Sequence, residues 1–249
     1  MRLILASTSP ARLALLRAAG VEPELVSPEV DEDAVTAAAN AAAGTPLAPA
    51  AVVQLLARSK AEAAARLTAA DGTPAQVSDG PDGPDGPRSH GSAGASAGNA
   101  AAAASGVSLI LGGDSVFVLD GVIYGKPHTM ATAHERWQLQ RGRTGTLYSG
   151  HWLIEVVDGV PGRAVGAVAE AEVSFADDIT DAELDAYIGT GEPLYVAGAF
   201  TIDSLGAPFI TRIVGDPSTV VGLSLPTLRR LVAGLGHHWP DLWNRRGAI

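Results

Sequence analysis

The 249-residue sequence contains no cysteine, which excludes disulfides, thiolate catalysis and thiolate metal sites. It has no run of 18 apolar residues, which excludes an α-helical membrane span. The apolar stretch Leu3–Ala6 is too short for a secretion signal. We therefore expect a cytoplasmic protein with no membrane partner. The formal net charge of −10 also argues against a nucleic-acid partner, because such proteins usually present a basic surface.

Lysine is scarce, since only Lys60 and Lys126 occur among 17 basic residues. Lys60 falls in a predicted helix, and Lys126 lies between a glycine and a proline. A lysine held by rigid neighbours can bind a phosphate as a point charge. The alternative for both is an ordinary surface lysine.

The N-terminal region reads as a strand, a tight turn and a helix. Leu3–Ala6 is apolar, Ser9 is a typical N-cap residue with Pro10 at the first helical position, and Gly20 ends the helix. The free N–H groups of such a helix start attract anions. Ser7, Ser9 and Arg12 could therefore bind a phosphate, although an ordinary capped helix with a solvent-facing arginine would look the same.

Two acidic features could hold Mg²⁺ or Mn²⁺ through oxygen ligands. The segment Glu29–Asp33 has four acids in five residues, and a solvated loop is its plainer interpretation. Asp114 follows the apolar strand Val107–Leu111 and the pair Gly112-Gly113, which permits a sharp bend or a close approach. Asp114 could bind metal or activate water, or it could be a simple turn residue.

The segment 71–106 differs from the rest of the chain. Of its 36 residues, 26 are Gly, Pro, Ala or Ser, and Val77 is its one bulky apolar residue. Such a segment buries too little to offset its ordering entropy. We expect a disordered insertion within a single domain spanning 1–249, and a C-terminal tail, 237–249, packed at the surface.

The remaining patterns predict a mixed α/β sheet rather than a strict βαβ repeat. A helix is expected from about Ala50 to Leu67, and a tight turn at Asp120-Gly121. A long hairpin is expected to turn at Asp158-Gly159. Capping-box patterns begin at Thr132 and at Thr180. The loop 198–206 is small and Gly-bounded, suits close contact with a ligand, and contains one charged residue, Asp203.

Taken together and in order, these features resemble the Maf family of nucleoside triphosphate pyrophosphatases, over about residues 2–236 outside the insertion. The matching segments are Leu3–Pro10, Val30–Glu32, Leu56–Ala61, Gly113–Val116, Gly125–Pro127, Gly191–Leu194, Ala197–Phe200 and Val220–Pro226. Eight ordered matches are far more specific than any one of them.

The resemblance implies an elongated mixed α/β fold with two lobes around a cleft, and a homodimer. It implies a hydrolase acting on acid anhydrides, which converts a nucleoside triphosphate substrate to the monophosphate and pyrophosphate with Mg²⁺ or Mn²⁺. Asp114 falls on the catalytic-base position, and the other matched polar active-site positions are Ser7, Ser9, Arg12, Glu32, Lys60 and Lys126. Glu32 and Asp114 are the expected metal ligands, and the sequence does not separate the ligand from the base.

Three residues depart from the family pattern at positions associated with base choice: Ala11, Ser115 and Asp203. A carboxylate at 203 can accept two N–H donors from a guanine edge, whereas thymine or uracil offers one donor between two acceptors. This favours a guanine-like base. The resemblance as a whole implies the removal of non-standard or modified nucleotides. A nucleotide-binding regulator of septum formation, without essential turnover, is the alternative function, and a phosphatase that releases orthophosphate is a second.

Overall fold

A computed structural model describes residues 1–71 and 106–245. Almost all of the predicted insertion, 72–105, lies outside the described residues, as do 246–249. Asp71 is the last residue of a helix, and Gly106 directly precedes a strand.

One seven-stranded mixed sheet with flanking helices organises the described residues. The strands are β1 Arg2–Ala6, β2 Glu24–Val26, β3 Val107–Leu119, β4 Val122–Tyr124, β5 Thr144–Val157, β6 Val160–Phe175 and β7 Ile210–Gly215. The helices are α1 Pro10–Ala18, α2 Glu32–Ala43, α3 Pro49–Asp71, α4 Met130–Gln140, α5 Asp181–Gly189, α6 Pro217–Val221 and α7 Leu225–Gly234. The predicted mixed α/β class is therefore confirmed.

The strand order is β2-β1-β3-β5-β6-β7, with β4 also paired to β3. β1 is parallel to β2 and β3, and all other pairs are antiparallel. The hairpin at Asp158-Gly159 joins β5 to β6 as predicted. Because β3, β5 and β6 are long, they run through both halves of the molecule.

Two lobes pack against these long strands. In the first lobe, Leu3 and Leu5 of β1 face α1 and α7, whereas Ile4 and Ala6 face the alanines of α3. This alternation follows the two-residue period of a strand. In the second lobe, α4 and α5 cover an aromatic core formed by Phe117, Trp137, Phe175, Tyr187 and Phe200, with edge-to-face ring contacts.

Local signals explain most helix starts. Ser9 accepts a hydrogen bond from the Arg12 N–H at 3.4 Å, and Thr180 forms the predicted capping box with Glu183. The capping box predicted at Thr132 is wrong, because Thr129 caps α4 and accepts from the Thr132 N–H. The helix expected from about Ala50 to Leu67 is confirmed as α3, and α2 is a separate helix before it.

The solvated loop favoured for the acidic run is also a wrong prediction. Asp31 is the N-cap of α2 and accepts from the Ala34 N–H at 2.9 Å, and Glu32 is the first helical residue. Acids at this end of a helix interact favourably with its dipole. The run therefore positions Glu32 on a defined element.

The segment 237–245 lies against the first lobe. Leu242 is buried among its leucines, with 1% of its surface exposed. The Asn244 side chain accepts from the Glu22 N–H and donates to the Glu22 carbonyl. The segment is therefore anchored beside the end of α1.

Candidate functional site

The candidate site lies where one edge of β3 is left open between the lobes. β1 pairs with β3 as far as Gly112, and β4 pairs with it from Phe117 onward. In the described structure, Gly113–Val116 therefore have no strand beside them on this edge. Asp114 and Ser115 lie in the centre of this open stretch.

This arrangement corrects the expected position of Asp114. The sequence placed it directly after the strand Val107–Leu111, either as a metal-binding or water-activating acid or as a simple turn residue, but β3 continues without a break from Val107 to Leu119. Asp114 and Gly150 are paired across β3 and β5. The carboxylate is therefore fixed within the sheet.

The pair Gly112-Gly113 serves close approach rather than a bend. A Cβ on Gly112 would lie 2.0 Å from the Ala57 carbonyl oxygen, so only glycine lets α3 pack this closely. A Cβ on Gly113 would lie 3.2 Å from Arg12 Nε on the opposite face. Gly112 thus allows α3 to lie close to one face of β3, and Gly113 allows Arg12 to lie close to the other.

On the α3 face, Lys60 joins two carboxylates. Its Nζ lies 2.7 Å from Asp114 Oδ1 and 2.8 Å from Glu32 Oε1. The Asp114 and Lys60 side chains are only 10% and 13% exposed, whereas that of Glu32 is 49% exposed. Three predicted site residues from three separate segments are brought together here.

Burial raises the pKa of the Asp114 carboxyl above its ordinary value. The positive charges of Lys60 and Arg12 oppose that rise without cancelling it. A carboxylate with a raised pKa is a better proton acceptor than an exposed one. The environment of Asp114 therefore suits a general base.

On the other face, Arg12 is buried and hydrogen bonded within the protein. Its Nε donates to the Gly222 carbonyl at 2.8 Å, and its two terminal nitrogens donate at 3.0 Å to Ser7 Oγ and Ser115 Oγ. A guanidinium has five N–H donors, so two remain for an anion. Burial lowers the pKa of Arg12, and the charges of Asp114 and Glu32 counter this effect.

Two further serines support this arrangement. Ser9 donates its backbone N–H to Ser7 Oγ at 3.2 Å as well as capping α1. Ser149 Oγ lies 2.8 Å from Ser115 Oγ and donates to the Thr219 carbonyl at 2.9 Å. Ser149 and Gly222 were not identified from the sequence as site residues, because their contacts join segments far apart in the chain.

The remaining predicted residues are not part of these two clusters. Ala11 is half-buried in the first turn of α1. Lys126 is exposed and has no hydrogen-bond partner among the described residues, but it leaves β4 at the end that borders the open stretch of β3. Asp203 is exposed at the crest of the loop 201–206, again without a partner in the described structure.

The α3-face cluster offers a metal ion two protein ligands, the carboxylates of Glu32 and Asp114. Glu32 and Asp114 both reach the same Lys60 nitrogen, so their oxygens could approach one cation. The described residues contain no group of three or more His, Cys, Asp or Glu side chains suited to a metal. Mg²⁺ is often held by one or two carboxylates together with water and substrate phosphates, and this donor set fits that pattern.

No helix among the described residues is both long enough and apolar enough to span a membrane.

Comparison with known proteins identifies the family. The model of the family described as Maf-like protein matches residues 2–235. A protein of Leifsonia xyli is 58% identical over 247 residues, covering 99% of both chains. Proteins of Rhodococcus opacus and Streptomyces coelicolor are 42% and 43% identical, covering at least 97% of this chain and 94% of theirs. All three are named nucleoside triphosphate pyrophosphatase. The chain thus belongs to the Maf family.

Proposed function

We propose that this protein hydrolyses nucleoside triphosphates to the monophosphate and pyrophosphate. The observation that supports this most directly is the Asp114–Lys60–Glu32 cluster at the open edge of β3, with Arg12 on the opposite face. A buried carboxylate, two buried or half-buried cations and a cleft between lobes suit attack on a polyanion. The names of the relatives agree with this chemistry.

The reaction is an attack of water on the α-phosphorus. The water oxygen bonds to that phosphorus, the bond to the bridging oxygen of the β-phosphate breaks, and pyrophosphate leaves. Asp114 accepts the proton of the attacking water. Lys60, Lys126 and the two free N–H donors of Arg12 hold the phosphate oxygens, with Ser7 and Ser9 orienting Arg12 and its helix start.

Glu32 and Asp114 would hold Mg²⁺ or Mn²⁺ through carboxylate oxygens, and Glu32 is the more exposed of the two. When bound, the ion supplies neutralisation of phosphate charge. Lys60 bridges these carboxylates and neutralises part of their charge. The buried Asp114 with its raised pKa is assigned as the base, and the exposed Glu32 is not.

Base choice is assigned to Asp203, whose exposed carboxylate is available to the N–H donors of a guanine-like base. Ser115 donates and accepts within the Arg12 network, so its influence on the substrate acts through Arg12. Ala11, the third position associated with base choice, has a small side chain that leaves space next to this residue. We propose that the substrates are non-standard or modified nucleotides.

The proposal includes a homodimer, as the family resemblance implies, and a cytoplasmic location without nucleic-acid or membrane partners, as the composition and net charge imply. Light scattering of the purified protein tests the dimer, for which the expected mass is twice that of the 25.3 kDa chain. A mass equal to one chain at micromolar concentration contradicts it.

The reaction is tested by product analysis. Purified protein with Mg²⁺ or Mn²⁺ is given dTTP, UTP, CTP, GTP and 7-methyl-GTP, and pyrophosphate and orthophosphate are measured separately. Pyrophosphate alone is expected. Orthophosphate as the first product would indicate a phosphatase instead, and no turnover would favour a nucleotide-binding regulator.

A further inference from the structure

The carboxylate of Glu192 is the centre of a hydrogen-bonded loop. Glu192 begins a short 3₁₀ helix, Glu192–Tyr195, directly after Gly191. Its Oε1 accepts from Tyr187 Oη at 3.2 Å, Thr201 Oγ1 at 2.5 Å and the Gly206 N–H at 3.2 Å. Its Oε2 accepts from Ser204 Oγ at 2.7 Å and the Leu205 N–H at 3.3 Å.

These bonds favour an ionised acceptor. Burial works against the charge of Glu192, but the hydrogen bonds from Thr201, Ser204 and the backbone N–H groups outweigh it and lower the pKa of the carboxyl. A charged acceptor also makes stronger hydrogen bonds than a neutral one. The loop is therefore built around a permanent negative charge at neutral pH.

The loop leaves one charged side chain free. Four of the six residues from Thr201 to Gly206 bond to Glu192, and a fifth, Ile202, packs on the aromatic core. The sixth is Asp203, which is exposed. Just before the loop, the Trp137 indole N–H donates to the Ala199 carbonyl at 2.8 Å. Both ends of the segment are thus fixed, while Asp203 between them is exposed.

We infer that Glu192 is a positioning residue for base selection, which holds the 201–206 loop so that Asp203 meets the base. This inference rests on the proposed function, in which Asp203 contacts the base. Glu192 itself is occupied by five protein donors and does not need to touch the substrate. A recognition group held before binding loses little conformational entropy when the ligand arrives.

The variant Glu192→Gln tests this inference. An amide replaces one acceptor oxygen by an NH₂ donor, so the donors on that side lose their acceptor. We expect the kcat/KM ratio of 7-methyl-GTP or GTP over dTTP to fall by about tenfold, mostly through KM, because the Asp114 cluster is unchanged. The matched control is Glu183→Gln, which removes a carboxylate that caps α5 in the same lobe and makes no contact with the loop.

A double-variant cycle separates positioning from general damage. Asp203→Asn should lower the ratio as Glu192→Gln does, and the double variant should show no further loss, because both act through the same contact. Independent losses that multiply in the double variant would overturn the inference. So would a wild-type enzyme without any base preference.

A second readout does not depend on catalysis. The Leu205 and Gly206 amides donate to Glu192, so their hydrogen exchange should become faster in Glu192→Gln and stay unchanged in Glu183→Gln. Faster exchange with an unchanged kcat/KM ratio between the nucleotides would mean that Glu192 has only a structural role. Unchanged exchange would mean that Glu192 does not hold the loop.

The dissociation constants of GTP and dTTP, measured without metal, distinguish this inference from the proposed function. If wild-type protein binds with a base preference but releases no pyrophosphate, the proposed function fails and the inference is judged on the effect of Glu192→Gln on that preference. If neither nucleotide binds and no pyrophosphate is released with Mg²⁺ or Mn²⁺, both fail. If turnover is normal and Glu192→Gln keeps the wild-type ratio, only the inference fails.

Discussion

At the scale of single residues, the site combines buried charges that compensate one another. Asp114, Arg12 and Lys60 would each be costly to bury alone, because an unpaired charge loses its hydration. Lys60 bonds to Asp114 at 2.7 Å, and Arg12 has three protein acceptors. Substrate can therefore enter a site whose charges are already oriented.

His151 is another buried titratable residue, outside the cluster of Asp114, Arg12 and Lys60. Its burial predicts how protein stability depends on pH. It is fully buried in β5, and its Nε2 accepts from the Ser224 N–H at 2.9 Å. Burial lowers its pKa from 6.5 to about 4, and the charge of Arg12 adds to this. Between these two pH values the unfolded chain binds a proton that the folded protein does not, so stability falls as pH falls from 6.5 towards 4.

We expect His151 to contribute a slope of up to about 1.4 kcal/mol per pH unit over that range. Urea unfolding at several pH values between 7.5 and 4.5 measures it. His151→Gln keeps an acceptor for the Ser224 N–H and has no proton to gain, so its stability should depend less on pH. Equal slopes in the two proteins would contradict the assignment.

At the scale of elements, the continuous strand β3 positions the site. Pairing with β1 ends at Gly112 of β3 and pairing with β4 begins at Phe117, so β3 presents Asp114 and Ser115 to opposite faces of an uncovered edge. α3 supplies Lys60 on one face and α1 supplies Arg12 on the other. The close contact of α3 with the sheet at Gly112 sets the Lys60–Asp114 distance.

Gly112→Ala should damage both stability and turnover. The new Cβ would lie 2.0 Å from the Ala57 carbonyl oxygen and 2.9 Å from Ala61 Cβ, so α3 must move away and take Lys60 with it. We expect a loss of about 2 kcal/mol in unfolding free energy and a fall in kcat of about a hundredfold.

Gly162→Ala is the matched control for this change. It also lies in a strand, and its Cβ would meet only the Glu155 carbonyl oxygen at 3.7 Å. Its stability and kcat should stay near those of the wild type. A Gly112→Ala variant with normal kcat would show that the position of α3 is not critical.

Local sequence signals predicted many elements but not the pairing that makes the site. The cap at Ser9 and the hairpin at Asp158-Gly159 depend on neighbouring residues, and both are observed. The continuity of β3 through Gly112-Gly113 depends on β5 beside it, so the local sequence left a bend and a close approach equally open there. Glu192 was unassigned because its acceptor role depends on donors 9 to 14 residues further along the chain.

At the scale of the whole molecule, two lobes are joined by three long strands, and the segment 237–245 completes a core of the first lobe. Leu242 of the segment 237–245 is 1% exposed among leucines of β1, α1 and α7. This segment was expected to pack at the surface. It does lie there, and it also contributes a side chain to the core.

Leu242→Ala should therefore lower the unfolding free energy by about 3 kcal/mol, through lost burial and the cavity left behind. Leu67→Ala is the matched control, because Leu67 is 46% exposed and its loss should change stability by less than about 0.5 kcal/mol. Thermal unfolding of both variants checks the difference. Equal melting temperatures would mean that the segment does not stabilise the first lobe.

The most direct test of the central claim is pyrophosphate release by wild-type protein and by Asp114→Asn, measured with 7-methyl-GTP and GTP in Mg²⁺ or Mn²⁺. Asp178→Asn, a change at an exposed carboxylate, is the matched control. The wild type and the control should release pyrophosphate, and Asp114→Asn should be inactive while its circular dichroism spectrum stays native. Wild-type rates in a folded Asp114→Asn protein would contradict the assignment of Asp114 as the base.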